Sequence, residues 1–501
     1  MRIARQWGAV AEFAHRSGAA QVRRSISLLL VGFAGACTAP TLENSTRATP
    51  GRLASLALVG VDIVDVEAGR LMPRQTVIVS GDRIEAVGET GRVAVPAGAK
   101  RIDARGKTLI PGLWDMHVHL SKAGDCTLPI LVTYGVTGVR DMGGDPDQLK
   151  AWRRAVSEGR LTGPYMQISS PAVESRRWLN WVAEINKKPW QEVIGKRTPV
   201  GSPDEAVEQV SNLTASGVDL IKIRNLDNES YRALLAEAQR QGIPVAGHLT
   251  GGKATLEAVF DPATADNIGT AGKGFVSIEH IEGFTMMMGP LDEAKRQAVF
   301  EAMRRHGTML APSLVTHAAR LASRSELRRL IDDDGTINPD VSPQLRQGWL
   351  EQYELVQPDS KFDWKAHVAK VEEDAKRAQR AGVRMLVGTD LGVQSLIPGR
   401  SVHEEMAEMV RLLSMTPAEA LRTATINAAS AAGLGESAGR IARGYRADLV
   451  LLDANPLADI GRTRSISGIV NGGRWLDRSS VEVLRSTTRR TMRQGGVCLA
   501  A

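Results

Sequence analysis

The sequence predicts an α/β protein, a (β/α)8 TIM barrel carrying a small β-sandwich assembled from both ends of the chain. Three observations predict it. Through the middle of the 501 residues, short apolar runs alternate with amphipathic helical stretches, the rhythm of a parallel sheet with crossover helices. Eight such runs can be counted, and eight strands over roughly 300 residues suit a closed barrel with insertions better than an open sheet. Strand-like material flanks this middle on both sides.

At the N-terminus, Arg23-Arg24 precede an apolar run from Ile26 to Ala36 that closes on Ala34-Gly35-Ala36 before Cys37. The run is too short to span a bilayer and reads as an export signal over residues 1–36. Small residues directly before a cysteine resemble the bacterial lipobox. Cys37 would then be acylated, followed by a Thr/Ser/Pro-rich tether over 37–52. A plain secretory signal, or an N-terminal core helix, are the alternatives. The lipobox resemblance places the protein in the bacterial periplasm, anchored to the membrane by the lipid on Cys37.

With 43% apolar and 24% charged residues the chain has the balance of a globular protein with a large core. The net charge of +7 gives no argument for nucleic acid. Five arginines against one glutamate sit in residues 1–36, and four against one in 480–501, which leaves a nearly neutral body. Residues 481–501 read as a flexible basic tail. With Cys37 committed to lipid, only Cys126 and Cys498 remain, too few and too distant for a disulfide framework, although export would permit a bridge.

The composite β domain is expected over 53–108 and 430–480. Its first part contains Leu56–Val59, Val61–Val66, Thr76–Val79 and Ile84–Val87, the last two joined by a Gly81-Asp82 turn that signals a hairpin. Its second part contains Ala447–Leu452 and Ile466–Val470, followed by Gly472-Gly473. The barrel, over 109–429, has its eight runs at Leu109–Leu120, Gly138–Met142, Tyr165–Ser169, Val218–Arg224, Ile243–Leu249, Phe275–His280, Thr308–Ser313 and Arg384–Asp390. Helices are expected at Pro203–Ser216, Ser230–Gln241, Asp292–His306, Trp364–Ala381 and Val402–Ser414. Two long connections, Pro171–Pro203 and His317–Phe362, follow strand ends and would overhang the active face as lids, or else lie against each other or a second copy of the chain. The first carries Trp178, Trp181 and Trp190 with Arg176, Arg177, Lys187 and Lys188.

Chemistry is concentrated at the strand ends. His117 and His119 lie two apart on a strand, so both side chains leave the same face. On a barrel's first strand that face is the interior, and neutral imidazoles held there suit Zn²⁺, with Asp115 near enough to orient one of them. A lone His-x-His is common by chance. Later runs, however, end in Lys222, His248, His280 and Asp390, and strand ends on one rim converge on one point. Core histidines and an interior lysine paired with Asp390 are the alternative.

Leu109–Leu120, Gly135–Gly144, Ser277–His280, Gly388-Thr389-Asp390 and Ala447–Val450 together resemble the amidohydrolase superfamily, in the branch of imidazolonepropionase-like proteins and Xaa-Pro or Xaa-Arg dipeptidases. The similarity covers about residues 53–480. The resemblance implies that His117, His119 and Asp390 bind a buried α metal, that His248 and His280 bind a β metal, and that Lys222, carboxylated by CO₂, bridges the two. Imidazolonepropionase lacks this lysine, so Lys222 favours the binuclear branch. A free ammonium is no ligand, whereas a carbamate presents two oxygens to two cations. The cofactors expected are thus two divalent ions, zinc foremost, and the carbamate.

From charge, a water shared by two such cations loses its proton near neutral pH, and the hydroxide attacks the substrate carbonyl. Asp390 accepts the proton and passes it to the leaving group. The reading is a hydrolase of amide bonds in dipeptides or N-acyl amino acids, with a small peptide-like substrate and possible homo-oligomers. A lactone, carbamate or organophosphate ester hydrolase could use the same site. A lipoprotein binding module is the reading outside enzymes, and the complete ligand set argues against it. Arg224, two residues beyond Lys222 on the same face, is a candidate grip for a substrate carboxylate, or pairs with Asp or Glu. Arg140, Tyr231 and His403 are further substrate-side candidates.

Overall fold

The computed structural model describes residues 55–249, 275–287, 293–319, 321–322, 324–333, 335–355 and 363–499. The export segment, Cys37 and the tether lie outside them.

The described chain opens with β1 (Leu56–Asp65), β2 (Arg70–Ser80), β3 (Arg83–Glu89), β4 (Lys100–Asp103) and β5 (Thr108–Pro111). Barrel strands follow: β6 (Leu113–Val118), β7 (Val136–Asp141), β8 (Tyr165–Ile168), β9 (Val173–Ser175), β10 (Thr198–Val200), β11 (Ile221–Asn225), β12 (Val245–Gly247), β13 (Phe275–Glu279) and β14 (Met309–Ala311). It closes with β15 (Leu449–Leu452), β16 (Ile466–Asn471) and β17 (Arg474–Asp477).

Strands from both ends form one eight-stranded sheet in the order β17-β16-β15-β5-β1-β2-β3, with β4 beside β1. The β2–β3 hairpin turns at Gly81-Asp82, with Ser80 opposite Arg83. Ile84 N–H donates to Tyr445 O at 2.9 Å, so the far edge bends back toward the approach to β15. The enclosed face buries Leu58, Val61, Ile63, Val77, Ile84, Leu109, Leu449 and Leu451.

The run expected as one strand from Leu109 to Leu120 is divided. Thr108–Pro111 pairs antiparallel with β15 in the outer sheet, and the chain enters the barrel only after Gly112. A Cβ at Gly112 would lie 2.0 Å from Thr137 Oγ1, so the crossing point tolerates no side chain.

The barrel closes with eight staves. β6, β7 and β8 pair in parallel, a bridge from Ser169 to Leu220 joins β8 to β11, and β11 to β14 continue the ring. Residues 384–391 form the eighth stave through bridges Leu310–Met385 and Val118–Leu391. The helices fall where the sequence places them: Pro203–Ala215, Asn228–Gln241, Glu293–His306, Trp364–Arg380 and Arg400–Leu413. Side-chain caps start three of them, Ser202 accepting from Glu205 N–H at 3.2 Å, Asp227 from Ser230 N–H at 2.9 Å and Asp363 from Ala366 N–H at 2.9 Å.

The long connections are tied into the fold. β9 and β10 extend the barrel sheet beside β11, followed outward by the helix Arg176–Asn186. The second connection docks on the C-terminal helix. Asp340 accepts from Arg489 at 2.8 and 2.9 Å and from Tyr134 Oη at 2.9 Å.

That helix, Arg478–Arg493, corrects the expectation of a flexible tail. Val481, Thr488 and Met492 are buried beneath it, Arg485 donates to Thr133 O at 2.8 Å, and Cys126 is bridged to Cys498. A separation of 372 residues hides that bridge from any reading of cysteine spacing. Among the described residues no helix is long and apolar enough to cross a membrane.

Candidate metal centre

Register carries the six expected residues to one rim. Lys222 stands opposite Ala246 and Ile223 opposite Gly247, Gly247 opposite Ile278, and Glu279 opposite Ala311. His248 therefore stands level with Glu279, one residue before His280, and Asp390 N–H joins His117 O at 2.8 Å to bring the eighth stave beside the first. Two glycines permit the approach. A Cβ on Gly247 would lie 1.8 Å from Ile223 O, and one on Gly388 would lie 3.1 Å from His117 Cβ.

The four imidazoles form a continuous chain. Ring centroids lie 5.2 Å apart for His119 and His117, 4.5 Å for His117 and His280, and 4.8 Å for His280 and His248. Asp390 Oδ1 is 3.1 Å from His119 Nε2 and 3.6 Å from His117 Nε2, while Oδ2 is 3.8 Å from His280 Nε2. One ligand atom from each of His117, His280 and Asp390 falls within 4.8 Å of the others. Lys222 Nζ is 3.5 Å from His117 Nε2 and donates to Met142 O at 2.7 Å. It makes no ion pair with Asp390 within 4.0 Å, so the interior salt bridge is not what the fold builds.

The outer shell aims these groups. Glu279 Oε2 holds His117 Nδ1 at 2.8 Å, and Ser313 Oγ holds His280 Nδ1 at 3.0 Å, leaving each Nε2 directed at the centre. Asp115 does not orient an imidazole, as the sequence suggested. Its carboxylate takes the His117 N–H at 3.2 Å and, from Thr389, the N–H at 2.9 Å and the hydroxyl at 2.6 Å, clamping the first stave to the last. Asp141 does the same for the next loop, accepting from Leu120 N–H and Gly144 N–H, each at 2.7 Å. His280 and Asp390 adopt φ of 64° and 62°, a left-handed backbone that costs about 1–3 kcal/mol per residue and gathers at functional sites.

Electrostatics suit cations. Burial drives the pKa of His117 and His248 well below the usual value and that of His119 down to about 3, so all three are neutral donors near pH 7. Burial by itself would raise Asp390, but His280, His119 and His117 outweigh it and hold the carboxyl well below its ordinary range. The His248 Nε2 is buried with no hydrogen-bond partner, a polar atom that a metal ion would satisfy. The donor set therefore fits divalent metal.

Of the substrate-side candidates, the structure removes three from the mouth. Arg140 is fully buried, donating to Glu279 Oε1 at 2.7 Å and Met116 O at 2.8 Å. Tyr231 is fully enclosed in the main apolar core. His403 ties Tyr134 O (3.0 Å) to Thr463 Oγ1 (2.8 Å), below the helix Arg400–Leu413. Arg140 and His403 have partners in distant sequence, so spacing alone could not show that they face inward. Arg224 does stand at the mouth, 28% exposed, donating to Glu174 Oε1 at 2.8 Å with its guanidinium 5.4 Å above the Trp178 ring.

The profile of the amidohydrolase family matches residues 108–476. An ochratoxinase of Aspergillus niger is 22% identical over 418 residues, covering 73% of this chain and 75% of the relative. An imidazolonepropionase of Chromobacterium violaceum is 26% identical over 378 residues, covering 70% and 78%. Among solved structures, the A. niger ochratoxinase superposes with a TM-score of 0.61 at 20% identity, covering 85% of this chain and 96% of that one. A Xaa-Pro dipeptidase with methionine in its active site gives 0.61 at 19% identity, covering 85% and 100%.

Proposed function

The chain belongs to the amidohydrolase family, and from that premise we propose that this hydrolase cleaves an amide C–N bond in dipeptides or N-acyl amino acids, exported to the periplasm and anchored through Cys37. The observation that carries the chemistry is the unbroken chain of four imidazoles around the Asp390 carboxylate at one rim of the barrel.

His117, His119 and Asp390 would hold one divalent ion, His248 and His280 a second, with carboxylated Lys222 shared by both and zinc the metal we favour. Such ions lower the pKa of water and polarise a carbonyl. Asp390 takes a proton from the attacking water and returns it to the amide nitrogen as the C–N bond breaks. Water's oxygen ends on the acyl carbon, and the amine leaves neutral.

Lys222 supports the carbamate. Burial pushes its pKa down to about 7, so the free amine that reacts with CO₂ is populated at neutral pH, and a carbamate nitrogen keeps one N–H for Met142 O. The Cys126–Cys498 bridge supports export, because such bonds persist in oxidising compartments. The test is chelation. Metal-free protein should lose hydrolysis of a dipeptide and N-acyl amino acid panel and regain it with zinc and bicarbonate. Full activity without metal would overturn the reading.

A further inference from the structure

Three loops meet at the mouth. Ser121 Oγ, in the loop after β6, accepts from Asp145 N–H at 2.9 Å, in the loop after β7, and Asp145 Oδ2 accepts from Lys196 Nζ at 2.6 Å, in the connection after β8. Their chain neighbours Lys122 and Arg197 are thereby drawn to the same side of the mouth. Arg197 Nε is 3.2 Å from Glu174 Oε1, the oxygen that also receives Arg224.

Two guanidinium groups thus meet on one carboxylate oxygen, and Lys122 lies within electrostatic reach of both. Lys122 sits three residues beyond His119 on the short helix Leu120–Ala123, is exposed to solvent, and makes no hydrogen bond or ion pair through its ammonium among the described residues. Enough protein surrounds it to depress its pKa. Burial is the main cause, and Arg197 and Arg224 push the same way, while Asp390 opposes them. The charge of Lys122 is felt at both His119 and Asp390, so the exposed ammonium stands within electrostatic reach of the metal-site residues. Once Asp390 is engaged with cations, its attraction for Lys122 is spent, and Asp141 alone of the named acids is left to oppose the repulsion of Arg197 and Arg224.

We infer that Lys122 is a specificity-determining residue, its ammonium pairing with a free carboxylate on the substrate beside the amide to be cleaved. The inference rests on the reading above and deepens it, since it requires an anionic substrate and names the residue that selects it. Arg197 and Arg224 hold Glu174 in place and add their field, and the Trp178 face offers an apolar neighbour to the substrate's side chain.

The test is calorimetric, in the Asp390→Asn protein so that turnover does not intrude. N-acetyl-leucine should bind about tenfold more tightly than N-acetyl-leucinamide, the effect of one charge-assisted pair. Adding Lys122→Met should abolish that preference, and Lys122→Arg should keep it. An acid-to-amide ratio unchanged by Lys122→Met, or no preference in the parent protein, overturns the inference. Failure of the metal-loaded wild type to hydrolyse any amide of the panel would instead strike the proposed activity, leaving this binding readout separate.

Discussion

At the floor of the site two of the proposed ligands are fixed from behind. His117 Nδ1 is held by Glu279 and His280 Nδ1 by Ser313, and the staves carrying them are locked by Asp115. At the mouth the pattern reverses. Arg197 and Arg224 come from different elements and meet on one acid, Glu174, and both repel the charge of Lys122. Fixed dipoles around neutral donors preorganise a site for cations, whereas crowded cations await an anion. One barrel end thus carries two opposite electrostatic demands a few residues apart, and a substrate with a carboxylate next to an amide answers both.

The floor breaks most severely at Asp390. Asp390→Asn keeps the shape but loses the proton relay, so kcat should fall by about 10²–10⁴-fold, the usual worth of a positioned acid–base group. The unfolding midpoint should shift little by comparison. Retention of near-normal turnover would show that another group moves the proton.

The mouth is braced from outside by the C-terminus. The Cys126–Cys498 bond closes on the loop that bears Lys122, and Asp125 Oδ2 accepts from Leu499 N–H at 2.6 Å. Cys126→Ser should cost about 2–4 kcal/mol of folding stability, as the loss of a long-loop bridge does, measured by denaturant titration. Because no metal ligand lies on the clamp, zinc stoichiometry should stay the same. A variant that lost its metal would mean that floor and mouth are not separable in the way drawn here.

The gathering of His117, His119, Lys222, His248, His280 and Asp390 at the floor was legible because they lie at or near the ends of apolar runs, and runs in a barrel converge at their C-terminal ends. Their supports were harder to see. Glu279 stands directly before His280, yet its side chain reaches His117 and Arg140, which are 162 and 139 residues away. A carboxylate between an apolar strand and a ligand was the available signal. The C-terminal helix escaped notice because only Val481, Thr488 and Met492 are buried in it among many arginines, a stripe too sparse to register as periodic. Lys122 lies in a four-residue helix with no period at all.

Removing a single support from the floor gives a smaller effect than removing a ligand. Ser313→Ala frees His280 Nδ1 and should weaken zinc binding by about 10–100-fold, the range for such partners of metal-bound histidine. The measurement is a competition titration against a chromophoric chelator. An unchanged affinity would mean that backbone conformation alone, with His280 at φ 64°, aims the ring.

The smallest effect should come from Arg176, a basic residue of the connection Pro171–Pro203, whereas Arg224 stands on β11. Position in the fold separates them. Arg176 Nη2 meets Glu205 Oε2 at 2.6 Å, with the two side chains 49% and 39% exposed, on the outer side of the β9–β10 extension. Solvent screens such a pair, and its loss reaches neither the metal nor the cations at the mouth. Arg176→Ala should therefore leave KM within about twofold of the wild type, while Arg224→Ala, which strips Glu174 of one of its two partners, should raise it further. Equal effects from the two arginines would place the substrate across the whole insertion and dissolve the distinction between a mouth and its outer wall.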